Sequence, residues 1–315
     1  MKKLLTLLFV LSVLVTVALL ASLVGCSPKN AVQSTTQTTY TPSLSVDSSQ
    51  GCTSGGAPTV ADGTVTFGAG TQCQAGRVIS NSSYKNITQV TATIDLSKIN
   101  SRYVNASFYM VSNPTNPGQK PVGNNYCDAG GTNGHDSWNC QEIDFLETNG
   151  NRIFQSTLHL GNGGSSAPQR YQYAFTNGMS TDACYVTTNM QAIPGQATDL
   201  TSTVDISKPF DMTTDFAYGS IPSMKITVSQ SGKSQVIYDT TAGSGAPGSG
   251  TIDMANLATS MANGYWLAIS FWQGYSPLGI NNSWYNNANP PCPWGNLCNN
   301  NGSYWSISNI RVIAD

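Results

Sequence analysis

The sequence predicts an all-β sandwich with long loops and one short helix. Three observations carry this prediction. The dominant hydrophobic period is two: in residues 89–97, Val90, Ala92, Ile94 and Leu96 share one face. Short segments rich in β-branched and aromatic residues recur, separated by loops of Asn, Gly, Ser and Pro. Helical spacing occurs only in residues 253–263, where Met254, Leu257, Ala258 and Met261 follow a period near four.

Along the chain, Lys2 and Lys3 precede an apolar run over residues 4–24, followed by Leu23-Val24-Gly25-Cys26. This is the pattern of an export signal. Its end resembles a bacterial lipobox, which makes residues 1–25 a signal peptide and Cys26 a lipid-bearing residue. The run is also long enough to span a bilayer as an uncleaved anchor. Either way the rest of the chain is expected outside the cytoplasm, as a membrane-anchored lipoprotein or an extracellular protein. Residues 26–50 are mostly Ser, Thr, Gln and Pro, too poor in apolar residues for a core, and read as a flexible tether. Residues 51–315 suit a single β domain.

Within that domain, strands are expected at 89–97, 105–112, 224–230, 234–241, 265–273 and 303–313. Two further segments flank Asn149-Gly150, a hairpin turn, and Ser231-Gly232 joins another pair. No fixed-period repeat is present.

Charged residues make up 10% of the chain, against ~25% in an ordinary soluble domain. A net charge of −2 without basic runs excludes a phosphate-matching surface, so no nucleic acid partner is expected. Eight cysteines and two histidines occur, with no C-x-x-C spacing. In an exported chain these read as disulfides, not metal ligands, and neither metal nor cofactor is expected. Proximity pairs Cys52 with Cys73, Cys127 with Cys140 and Cys292 with Cys298, leaving Cys184 over. A monomer is expected.

Against this sparse background, residues 142–147 gather Glu142, Asp144 and Glu147. On a regular strand Glu142 and Asp144 share a face, and Glu147, five positions from Glu142, points away. A helix does no better, since residues five apart stand about 140° apart. A β-bulge between Asp144 and Glu147 resets the alternation and brings all three to one side. Such a face suits glycoside hydrolysis with retention, in which two carboxyl groups ~5–5.5 Å apart flank the scissile bond. A third acid between them shares a proton with the nucleophile and raises one pKa. The plainer alternative is a solvated strand face, which the apolar Ile143, Phe145 and Leu146 disfavour. The spacing does not match an EF-hand calcium loop.

The flanking residues extend the motif. "NASFYMVS" (105–112), "NNYCDA" (124–129) and "GHDSWNCQEIDFLETN" (134–149) resemble, in this order, the A-L-Y-F-V-S, Y-C-D and C-x-E-M-D-x-W-E-A-N segments of glycoside hydrolase family 7. Residues 205–216, 258–275 and 304–312 resemble later strands of the same family. The resemblance implies a concanavalin A-like β-jelly roll and hydrolysis of β-1,4-glucan. It implies Glu142 as nucleophile, Asp144 as its assisting acid and Glu147 as general acid/base. It also implies that Tyr109, Asp128 and His159 line the site, and that Cys127 and Cys140 are bonded. Gly130, Gly131, Asn139 and Leu146 depart from the family pattern, and the chain is shorter where tunnel-forming loops would lie. An open cleft and internal cleavage are therefore expected. The related family 16, which includes β-1,3 and mixed-linkage glucanases, shares the acid motif and the fold.

Among the other aromatics, Trp138, Trp272 and Trp284 are candidates to line the cleft or stack on sugar rings, with core packing the alternative for Trp272. Trp294 is a platform or a loop plug, and Trp305 belongs in the core. His135 and Arg170 read as solvated loop residues. Sequons at Asn81, Asn86, Asn105, Asn281 and Asn301 read as incidental. Without a G-x-S-x-G motif, serine-hydrolase chemistry has little support. The sequence thus predicts a retaining endo-type glucan hydrolase acting on a β-glucan polysaccharide. A lectin-like binder on the same fold and a surface protein with a decayed site are the alternatives.

Overall fold

The computed structural model describes residues 36–47, 58–68, 75–99, 104–113, 141–148, 153–159, 169–174, 200, 202–219, 222–240, 254–273 and 304–315. For some of these, among them His159, Arg170 and Trp272, it describes the backbone alone. The residues from Gln37 onward belong to one compact unit.

Fifteen strands and one helix are described: β1 (Thr38–Tyr40), β2 (Leu44–Val46), β3 (Thr59–Ala61), β4 (Thr64–Gly68), β5 (Ala75–Ser80), β6 (Gln89–Asp95), β7 (Val104–Ser112), β8 (Glu142–Thr148), β9 (Ile153–His159), β10 (Gln169–Ala174), β11 (Phe210–Tyr218), β12 (Pro222–Gln230), β13 (Lys233–Asp239), α1 (Met254–Asn263), β14 (Tyr265–Gln273) and β15 (Tyr304–Ala314). They form two antiparallel sheets. One runs β13-β12-β11-β6-β15-β4-β3 with β1 added to β15, and the other runs β10-β9-β8-β7-β14-β5-β2. This is the jelly-roll sandwich that the period-two pattern and the resemblance predict.

Alternation explains the layers. In β6, Val90, Ala92 and Ile94 turn inward while Thr91 and Thr93 turn out. The core lies between the sheets. Met212, Phe216, Ile226, Val228, Ile307 and Val312 from the first sheet meet Val78, Phe108, Met110, Ile143, Leu267 and Ile269 from the second. Phe67 stacks on Trp305 at 5.5 Å and meets Phe271 of the other sheet at 6.4 Å. Trp305 is fully buried, as its apolar strand suggests.

The turns follow their residues. Ser231 and Gly232 both have positive φ (52° and 79°), the paired left-handed geometry that a two-residue hairpin requires. Asp62 and Gly63 do the same between β3 and β4, at 49° and 71°. Helix α1 ends at Gly264, whose φ of 104° reverses the chain into β14.

The N-terminal expectation needs correction. Residues 38–46, placed by composition within the tether, form strands instead: β1 adds to β15 and β2 adds to β5. The physical reason is next to them. Asp47 is buried and its Oδ2 accepts hydrogen bonds from Nε (2.8 Å) and Nη2 of Arg77 on β5, itself 1% exposed. Tyr40 and Leu44 also pack against the core. Three-residue strands are too short to show a period. Among the described residues, no helix is long and apolar enough to cross a membrane. The apolar run at 4–24 and all eight cysteines, Cys26 included, lie outside those residues.

Two predictions follow from this packing. Asp47→Ala leaves the Arg77 guanidinium buried without its carboxylate and is expected to destabilise the fold by roughly 3–5 kcal/mol, read from denaturant midpoints. Burial pushes the phenols of Tyr265, Tyr218 and Tyr84 above their ordinary range. The folded state therefore holds protons that the unfolded chain releases from about pH 10 upward. Stability should be full below that pH and fall as pH rises beyond it, measurable by urea unfolding at increasing alkaline pH.

Candidate active site

Strand β8 lies inside the second sheet, between β7 and β9. Its register on β9 pairs Asp144 with Thr157 and Glu147 with Gln155, so three steps along β8 match two along β9. Against β7 the same slip falls between Phe108, opposite Leu146, and Tyr109, opposite Asp144. One extra residue therefore sits between Asp144 and Glu147, where the five-residue spacing asks for it.

The side chains record the consequence. Ile143, Phe145 and Leu146 all enter the core. Phe145 packs edge-on against Phe108 at 5.1 Å and reaches Phe216 of the opposite sheet at 6.4 Å. Glu142, Asp144 and Glu147 are left on the other face, in line with Val111, Tyr109 and Ser107 of β7. A bulge disrupts the ladder and frees a polar backbone group that water cannot reach. Ser156, fully buried on β9 opposite the bulge, donates its hydroxyl to the Phe145 carbonyl at 2.7 Å.

The three acids differ in setting. Asp144 is 5% exposed, whereas Glu142 and Glu147 are half-buried. Other carboxylates sit either in water, as Asp211 does where it accepts from Thr93 at 2.7 Å, or buried against a cation, as Asp47 does on Arg77. Glu147 Oε1 accepts a hydrogen bond from Asn105 Nδ2 at 3.0 Å, and Asn105 Oδ1 accepts from Ser107 Oγ at 3.1 Å. Beside Glu142, Tyr109 is buried, and its oxygen is in hydrogen-bond contact with Ser270 and Arg77. Burial foremost, with the Glu142 charge adding, holds its phenol neutral far above the ordinary range, although Arg77 and Ser270 pull the other way.

Of the residues singled out from sequence, the structure brings Glu142, Asp144, Glu147 and Tyr109 together. His159 pairs with Glu142 in register on β9, and Trp272 pairs with Asn105 and Ala75, but the side chains of both lie outside the described residues. Asp128, Trp138 and Trp284 lie outside them altogether, as do all the cysteine pairs. Asn105, read as an incidental sequon, is 4% exposed with its amide engaged. Its sequence signal was parity: Asn105, Ser107 and Tyr109 alternate onto the acid-bearing face. Ser156 and Arg77 gave no such signal, because the β8–β9 and β5–β14 registers that place them are tertiary.

No family model matches this sequence. No curated protein matches it either. Similar solved structures include an endoglucanase I complexed with cellobiose, 16% identical, covering 80% of this chain and 77% of that one, TM-score 0.46. A family 7 cellobiohydrolase from Daphnia pulex is 15% identical over 80% of this chain and 79% of its own, TM-score 0.47. A laminarinase from Flavobacterium sp. UMI-01 is 12% identical over 82% and 81%, TM-score 0.45. At these identities and TM-scores the likeness assigns neither family nor chemistry to this chain.

Removing the Ser156 hydroxyl leaves the Phe145 carbonyl buried without that donor. Ser156→Ala is expected to lose about 1–3 kcal/mol of stability, measured by chemical denaturation, whereas Ser156→Thr retains most of it.

Proposed function

We propose that this chain is a retaining glycoside hydrolase that cleaves β-linked glucan internally. One observation carries the reading: the register shift between Asp144 and Glu147, which sends Ile143, Phe145 and Leu146 into the core and leaves three carboxylic acids on one face. A solvated strand has no need of that irregularity, and an ion-binding loop is not built on a central strand.

In this reading Glu142 attacks the anomeric carbon and forms a glycosyl-enzyme ester while Glu147 protonates the departing oxygen. Glu147 then takes a proton from the water that hydrolyses the ester, which returns both acids to their starting states. Asp144, two residues from the nucleophile and buried, shares the local negative charge and tunes which acid holds a proton. Asn105 orients the Glu147 carboxyl through its 3.0 Å hydrogen bond. Tyr109 remains a neutral phenol next to the nucleophile and supplies no charge of its own. The resemblance of residues 105–149 to family 7 favours β-1,4-linked glucose polymers, and the family 16 resemblance keeps β-1,3 and mixed linkages within the class. The apolar leader and Cys26 would hold the enzyme outside the cytoplasm through a lipid.

The test is a hydrolysis panel of carboxymethyl-cellulose, barley β-glucan, laminarin and xylan, with the product anomer read by NMR. Retention is expected on at least one glucan. Glu142→Gln should reduce sugar release to background while oligosaccharide binding persists, and Glu147→Gln should lower the rate by about 10²–10⁴-fold. Inversion, or undiminished release by the Glu142→Gln protein, overturns the assignment. Binding without hydrolysis by the natural chain identifies a lectin-like module instead.

A further inference from the structure

Two hydrophobic clusters exist among the described residues, and only one of them is the core. The second is small: Tyr109, Val111 and Ala268, with Trp266 packed against them. It lies on the far side of the second sheet, since the intervening Met110, Leu267 and Ile269 enter the core. That is the face of the acids. Register fixes the row: Trp266 pairs with Val111, and Val111 pairs with Glu142. Trp266 thus stands two strand spacings, about 10 Å, from Glu142.

Its ring is held in place before any ligand arrives. The indole Nε1 donates to Asn113 Oδ1 at 2.6 Å. Asn113 is itself fixed at the corner between α1 and β14: its Nδ2 donates to the Asn263 carbonyl at 2.9 Å and its backbone N–H to the Gly264 carbonyl at 2.9 Å. Asn263 Nδ2 returns a bond to the Asn113 carbonyl at 3.1 Å. The N–H of the indole is thereby satisfied by protein, yet the side chain remains part-exposed rather than sealed. A tryptophan placed to fill a core ends up enclosed, as Trp305 is. Trp266 instead presents an oriented, partly open ring on a buried floor of Tyr109, Val111 and Ala268.

We propose that Trp266 is a sugar-binding platform, stacking on a pyranose ring of the glucan chain away from the bond being cleaved. The proposal rests on the glucan hydrolase reading and names a subsite within it. Pyranoses with equatorial hydroxyls carry axial C–H groups on both faces, and these meet the electron-rich face of an aromatic ring. Val111 and Ala268 back the ring from within the sheet, and the carboxylates take the polar edge of the next rings along the chain. The 10 Å interval from Glu142 is short enough for linked sugars to reach both.

The experiment uses cellohexaose, laminarihexaose and their shorter homologues. Affinity is measured by calorimetry on the Glu142→Gln protein, and kcat and KM are measured on the active one. Trp266→Ala should weaken binding of the preferred hexaose about tenfold and raise KM more than it lowers kcat, with the loss shrinking as the oligosaccharide shortens. Trp266→Phe keeps a ring but loses the bond to Asn113, and should retain most of the affinity. If both variants are equally impaired, or if the loss is the same for every chain length, the platform is overturned. If hexaose binding is unchanged in Trp266→Ala while Glu142→Gln still abolishes hydrolysis, the platform falls and the hydrolase reading stands. If the natural protein neither binds nor cleaves any of these sugars, both fall.

Discussion

One additional residue in β8 decides what the second sheet presents on each side. Without it, a strand carrying Glu142, Asp144 and Glu147 would have to send one acid into the sandwich, where an unpaired carboxylate is ruinous, or else lose its apolar contacts. With it, Phe145 and Leu146 both face inward, and Phe145 bridges to Phe216 across the core. The extra residue is therefore anchored by hydrophobic burial at its side chain and by Ser156 at its carbonyl. Two independent forces hold the same slip in register, so the spacing of the acids is set by the packing of the whole sandwich.

The same face shows how polar groups are accommodated on a nearly uncharged protein. Asn105 and Ser107 alternate with core residues on β7 and form a chain of hydrogen bonds ending on Glu147. Arg77 is compensated from the other side by Asp47 and touches Tyr109, which in turn lies within the field of Glu142. Charged and hydrogen-bonding groups are thus distributed across four neighbouring strands and the segment just after β2. Deletion of any one member would leave its partner in a poorly solvated place, which is why such arrangements behave as units.

Much of this was legible in the sequence, for a physical reason. Period-two alternation and β-branched or aromatic enrichment are local properties, so β6, β7, β12, β13, β14 and β15 could be read from residues 89–97, 105–112, 224–230, 234–241, 265–273 and 303–313 by inspection. The bulge was legible because acids five apart cannot share a regular strand. What escaped was non-local or too short to carry a period. β1, β2 and β3 have three residues each, and the hairpin of β3 and β4 was not read from the sequence. Ser156 looks like any strand serine until the slip opposite it is known. Trp266 belongs to the parity class of Ala268 and Ser270, yet nothing local reveals that Asn113 takes its N–H.

The first two strands have a mechanical consequence. β1 joins the first sheet through β15, and β2, four residues later, joins the second through β5. Both pairings are antiparallel, and Asp47 locks the following backbone to Arg77. A pull on residue 37 would load the ladder of β1 first, and past it that of β2 in the opposite sheet. Such a load meets the β1–β15 and β2–β5 pairings and the Asp47–Arg77 ion pair before it reaches β8. Three strands stand between β2 and β8, so a load on residue 37 is spent well away from the acids.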